Sequence, residues 1–330
     1  FYDKAELPAS TNPARGWLAT ANNQIVPSAR FPSTFNAGAS GPNRYERIVE
    51  RLAAATADRA LTASASAAIQ LDRVDPAWRA IRAGLDDGLC RRGATSLAAE
   101  RALLCGWDGD HAPESAAATL FVLLTNALLD RAVADEFPQG ADDPLWHYVQ
   151  TIPQFEARAQ WLWAEPAAAA LWDDVRTEAV ETRAEILELA FADAVAEAED
   201  RFGGDADDWA WGEVRPFVLR HAFATNDGVL GWFLNAEPLA VGGGPETVFK
   251  NQFPRSDRER MNPAIGPVFR FTIDMADPWA ATYSLAGGQS GWPLSRHYGD
   301  LLGDWAAGRE RPLTPPPAAT DVAVTLVPEA

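Results

Sequence analysis

The chain has 330 residues, with 28 Lys+Arg against 46 Asp+Glu, a formal charge of −18, and a composition 47% apolar and 22% charged. That length suits one large domain or two medium ones, and that composition argues against a disordered chain. The charge argues against a nucleic-acid backbone or an anionic membrane as partner, since clustered Lys and Arg bind both. Lys4 and Lys250 are the only lysines, a balance that either a high-salt habitat or a codon bias produces.

The first residues, FYDKAELPAS, carry no basic segment leading into an apolar one. No signal peptide is expected there, and the chain reads as beginning inside a longer gene product or after processing. Residues 1–43 are rich in Pro, Ser, Asn and Gly. They read as loops around one short extended run, Trp17–Ala21, that ends at Asn22-Asn23. Helical spacing then dominates to about Asp200. Tyr45, Ile48, Val49 and Leu52 fall on one helix face. Pro113 and Glu114-Ser115 open an apolar helix running to Leu129, interrupted by Thr119, Thr125 and Asn126. It is too short and too mixed for a membrane span and reads as a core helix. A long helix is expected from about Asp173 to Asp200. Its stripe is Leu187, Ala190, Phe191, Ala194, Val195 and Ala198, with a solvated acidic face and a stop at Gly203-Gly204.

Beyond Gly203 the texture changes. Gly242-Gly243-Gly244-Pro245 reads as a turn. Val268–Ile273 alternates as a strand, with Ala281–Leu285 as its hairpin partner. A short helix is expected near Tyr298–Ala307, and Asp321–Val327 reads as a last strand. The fold class is α+β. It divides into loops and one strand (1–43), a mainly helical block (44–202) and a mixed segment with C-terminal strands (203–330).

The chemistry-bearing residues are few. Ser290, His297 and Asp300 lie close in sequence, but Trp292 stands where a nucleophile elbow needs its last Gly, so a structural loop is expected. His111, His147, His221 and His297 show no metal-ligand spacing. Gly242–Thr247 lacks the Gly-Lys-Ser/Thr ending of a phosphate loop. Cys90 and Cys105 are the only cysteines. They read as two small buried side chains or one optional bridge, and the redox compartment stays open. The 13 tryptophans permit a carbohydrate-active protein, although packing is their commoner use. A non-catalytic helical binding module is the other alternative.

Several segments, in order, resemble the penicillin acylase family of N-terminal-nucleophile amidohydrolases. They are Gly16–Asn23, Gly41–Arg44 with the helix to Leu52, Ile69–Asp72, Gly106–Gly109 with Ser115–Ala117, and Trp211-Gly212. Gly242–Val248, Phe269-Arg270 with Asp274, Gly287–Gly291 with His297-Tyr298, and Trp305–Gly308 with Pro312-Leu313 follow. The resemblance covers the C-terminal part of the family's β chain, and it implies a portion of a four-layer αββα fold with a large helical block. In the family, the nucleophile is a Ser that autocleavage frees at the start of that chain, and its own α-amine is the base. Phe1 has neither hydroxyl nor thiol and cannot serve.

The resemblance implies that Asn22 donates its side-chain NH2 to the oxyanion, with Asn23 as a turn residue. It implies that Arg44 holds that asparagine near the nucleophile. It makes no cofactor certain. A structural calcium is implied, but the position of its Asp ligand falls on Ser33. Gln289, Ser290 and His297 are read as hydrogen-bonded scaffold. The implied partners are the remaining N-terminal part of the β chain, the α chain of the same precursor and a small N-acyl amide, with no nucleic acid and no membrane. Location would be periplasmic or extracellular, and the isolated chain is expected to be inactive.

Overall fold

The computed structural model describes residue 3 and residues 7–26, 41–57, 60–86, 89–90, 97–151, 170–224, 228–253, 261 and 263–313. The expected strand Asp321–Val327 lies outside the described residues. The rest is mixed helix and sheet, as the sequence implies. Helices α1 (Asn43–Thr56), α2 (Ala63–Gln70), α3 (Pro76–Asp86), α4 (Ala98–Cys105), α5 (Ala116–Val133), α6 (Pro144–Gln150) and α7 (Arg183–Phe202) come first. Strands β1 (Phe269–Asp274) and β2 (Asp277–Leu285) follow, then α8 (Leu302–Ala306) and the two-residue β3 (Arg311–Pro312).

The core is built on α5 and α7. Ser115 caps α5 by accepting from Ala118 N at 3.2 Å, and 13 of its 18 residues are buried. Its length and hydropathy would fit a membrane span, but its burial makes it the central core helix. The stripe on α7 is buried as its spacing predicts. Trp78, Trp107, Trp146, Trp172, Trp209 and Trp211 join this core, while Trp161 and Trp163 lie outside the described residues. The buried tryptophans thus serve packing.

One helix start differs from expectation. α7 begins at Arg183, ten residues after Asp173. Thr182 and Glu185 form a reciprocal capping box there, with Thr182 N donating to Glu185 Oε2 at 2.8 Å. Upstream, Asp173 and Glu181 accept from the backbone N–H groups of Glu181 and Asp174. Side chains that bond the local backbone in this way compete with helix. The expected stripe on α1 is only partly buried. Leu52 is in the core, and Asn43 and Arg47 are the other buried positions, with Arg47 paired to Asp72 at 2.8 and 2.9 Å.

The hairpin forms as predicted, with Phe269 opposite Leu285 and Phe271 opposite Tyr283. Its burial is inverted for a sheet on an apolar core. Arg270 and Thr272 are buried, while Phe269, Phe271 and Ile273 are 48%, 50% and 42% exposed. Cys90 and Cys105 form a disulfide, which decides between the two readings left open for them.

Candidate functional site

Asn22 and Arg44 are 22 positions apart in the chain, and their side chains meet, with Arg44 Nη2 donating to Asn22 Oδ1 at 3.1 Å. A guanidinium carries donors only, so the contact fixes which way the amide faces. Oδ1 turns toward Arg44 and Nδ2 turns away. Asn22 is exposed, and among the described residues nothing accepts from its Nδ2. The amide is therefore a donor held by its acceptor end.

Asn22 was expected at the end of a strand, and it is not. Its φ is +61°, in the left-handed region that Asn tolerates better than most side chains. Among the described residues nothing pairs with Trp17–Ala21, and a run without a ladder partner is not a strand. Asn23, expected in a turn, is instead a bridge residue that follows the bend at Ala21-Asn22. Its Oδ1 accepts from Ala21 N and its Nδ2 donates to Gln24 O, both at 3.0 Å.

Arg44 is the second residue of α1, half-buried. Burial lowers its guanidinium from the ordinary value, and the nearby charge of Glu246 opposes that shift. Glu246 is buried and accepts from Asn43 Nδ2 at 3.1 Å. Burial and the neighbouring Asp75 carboxylate push Glu246 up to about 7, with Asn43, Lys250 and Arg44 pulling the other way. Asp75, in turn, caps the start of α3 by accepting from Ala77 N at 2.8 Å. Its other oxygen stands 3.6 Å from Nε2 of the fully buried His111. Asp75, His111 and Glu246 share a cavity of about 40 Å³ with Ile81, Phe121 and Phe253. Among the described residues no hydrogen-bond partner meets either ring nitrogen of His111.

The glycine turn that carries Glu246 is buried and fixed. Gly243 has φ +82°, and a Cβ there would meet the Phe249 carbonyl. A Cβ on Gly244 would come within 2.9 Å of the His111 ring. Trp211 Nε1 donates to Gly243 O at 2.8 Å, and Asn251 Nδ2 donates to Gly242 O at 2.7 Å. The buried Arg215 also donates to Gly243 O and lies 3.9 Å over the Trp211 ring. Burial pushes its guanidinium down to about 9. Sequence reasoning saw this turn but missed Glu246 and Asn43. The available signal was an acid inside an otherwise apolar, glycine-rich turn.

The Ser290 cluster is not a nucleophile site. His297 Nδ1 pairs with Asp300 at 2.9 Å, but its Nε2 accepts from Arg296 Nε at 2.9 Å. Ser290 Oγ accepts from Trp292 N, and Ser290 N donates to His297 O. The loop is hydrogen-bonded scaffold. Ser33 lies outside the described residues and is no carboxylate, so the donors do not fit the calcium site the resemblance implies. Among the described residues no three His, Cys, Asp or Glu side chains gather to hold an ion.

The sequence pattern of the penicillin amidase family matches residues 1–321. The acyl-homoserine lactone acylase QuiP of Pseudomonas fluorescens (strain Pf0-1) is 26% identical over 325 residues, covering 94% of this chain and 38% of that protein. The penicillin acylase 2 proenzyme of Pseudomonas sp. (strain SE83) is 26% identical over 302 residues, covering 91% of this chain and 36% of that protein. In fold, the chain is similar to thermostable penicillin G acylase from Alcaligenes faecalis, with a TM-score of 0.50 and 14% identity. That match covers 96% of this chain and 58% of the acylase chain. The chain thus spans less than two fifths of the curated relatives it matches. Matched over nearly its whole length, it belongs to the penicillin amidase family.

Proposed function

We propose that this chain is the C-terminal portion of a four-layer αββα amidohydrolase that cleaves an N-acyl amide bond through an acyl-enzyme. Its three sequence regions (1–43, 44–202 and 203–330) would be an arm of the catalytic sheet region, a helical block and a return to the sheet. The observation that carries the reading is the Asn22–Arg44 contact at 3.1 Å. A serine hydroxyl outside these residues adds to the amide carbonyl, its α-amine taking the proton. Negative charge collects on the carbonyl oxygen. Asn22 Nδ2, oriented by Arg44, donates to that oxygen. The amine leaves with the proton, and water then releases the acid. A donor already in place needs no reorganisation as charge develops.

Two further observations support the reading. The outward Phe269, Phe271 and Ile273 suit a sheet face that another layer covers, and the partners proposed are the rest of the β chain and the α chain of one precursor. The Cys90–Cys105 bond suits an oxidising compartment, periplasmic or extracellular. In the complete enzyme, Asn22→Ala should lower kcat on the order of 10²–10³-fold, measured on a chromogenic N-acyl substrate. Unchanged turnover in that variant would remove the oxyanion role.

A further inference from the structure

Glu246 is a buried acid with no place in the chemistry above, and three observations connect it to the Asn22 arm. Its carboxylate accepts from Asn43 Nδ2 at 3.1 Å. Asn43 is the first residue of α1 and Arg44 the second, and Pro42 before them supplies no side-chain cap. Glu246 is also the anion whose field acts on the Arg44 guanidinium, and Nη2 of that guanidinium donates to Asn22 Oδ1. The groups facing Glu246 are Asp75 from the start of α3, Lys250 from the turn that follows it, and Asn43 and Arg44 from α1. His111 faces it across the shared cavity.

From this geometry, and resting on the oxyanion reading of Asn22, we propose that Glu246 is a positioning residue. Its carboxylate anchors Asn43 and draws the Arg44 guanidinium so that Arg44 orients the Asn22 amide. The chain of contact runs from the rigid glycine turn through Glu246 and the first turn of α1 to the exposed amide. A rigid turn at one end and an exposed donor at the other is how a buried group sets a catalytic one. Holding charge on a buried carboxyl beside a second carboxylate costs stability, and perturbed groups of this kind cluster at functional sites.

Glu246→Gln keeps the shape and leaves an acceptor for Asn43 but removes the charge. In the complete enzyme it should lower kcat about tenfold at pH 8 with KM within about twofold, as expected for a group acting on the transition state alone. The loss should shrink below pH 6, where the native carboxyl is itself neutral. In an Asn22→Ala background the same change should cost less than about twofold, because coupled residues are not additive. Equal losses in both backgrounds, or no loss in the parent, overturn the proposal. Silent Asn22→Ala with turnover intact would instead defeat the oxyanion reading. A crystal structure of the Glu246→Gln enzyme then decides on Glu246 independently. An Arg44–Asn22 contact displaced from its native position supports the positioning role, and an unmoved contact overturns it.

Discussion

At the residue scale the informative feature is how one amide is held. A side-chain amide in water turns freely, and its two ends differ only in hydrogen-bonding sense. Arg44 removes that ambiguity by offering donors only. Asn22→Asp should therefore be at least as damaging to kcat as Asn22→Ala, because a carboxylate repels the oxyanion. Asn23→Ala should stay within about tenfold of the parent, since Asn23 spends both amide ends on the adjacent backbone, and tenfold corresponds to only about 1.4 kcal/mol. Single-turnover kinetics separate these cases, and a crippling Asn23→Ala would place the oxyanion donor one residue later. Glu246 makes a second prediction at this scale. Its folded value, about 7, lies above its ordinary 4.5, so the native chain binds that proton more tightly than the unfolded chain does. The stability this contributes is fully present below the ordinary value and is lost as pH rises through about 7. Glu246→Gln should flatten that dependence and raise stability at pH 8 by on the order of 3 kcal/mol, read from denaturation midpoints at pH 5 and 8. A substitution that stabilises and slows together is the signature of a residue kept for function.

At the element scale, α5 and α7 fix the frame. An apolar helix with one Ser cap and a helix with a reciprocal capping box each start where the backbone donors are satisfied. Thr182→Ala removes the Thr182 hydroxyl and should cost about 1 kcal/mol. The loss should appear locally, as faster amide exchange over Arg183–Ile186, with little change in the second half of α7. Phe191→Ala, in the shared core, should cost on the order of 3–5 kcal/mol and lower Tm for the whole block. α1 behaves differently. It buries Asn43 and Arg47 beside Leu52, so the Arg47–Asp72 ion pair and the Asn43–Glu246 hydrogen bond hold it alongside hydrophobic burial.

At the scale of the whole molecule, two features reach beyond any element. The disulfide closes a separation of 15 residues between the end of α4 and the segment after α3. Cys105→Ser should cost about 3 kcal/mol, seen as a lower Tm without reductant and as no further loss when reductant is added. The exposed Phe269, Phe271 and Ile273 form the other. If a further layer covers them, Phe271→Glu should leave the precursor synthesised but stop its parts from co-purifying. Normal assembly of that variant would show that the face stays open to solvent.

Sequence alone determined the α+β class, the core helix from Ala116, the stripe of α7, the Val268–Leu285 hairpin and the short helix near Trp305. Each is a local pattern of period 3.6 or 2 with its own start and stop signals, so a few neighbouring residues suffice to specify it. The family was legible too, through short segments in a fixed order, and these put Asn22 and Arg44 forward as a pair. The start of α7 was misplaced by ten residues, because side chains at 173–181 bond their own backbone in a way that composition does not reveal. The expected strand at Trp17–Ala21 failed for a different reason, since a ladder depends on a neighbour that a single run does not contain. Only the tertiary structure decided that Cys90 and Cys105 are bonded, that Arg44 reaches Asn22, and that Glu246 lies behind both. Glu246 is 203 positions from Asn43 in the chain, and its charge is set by burial and by the neighbouring Asp75, quantities that exist only once distant segments have packed together.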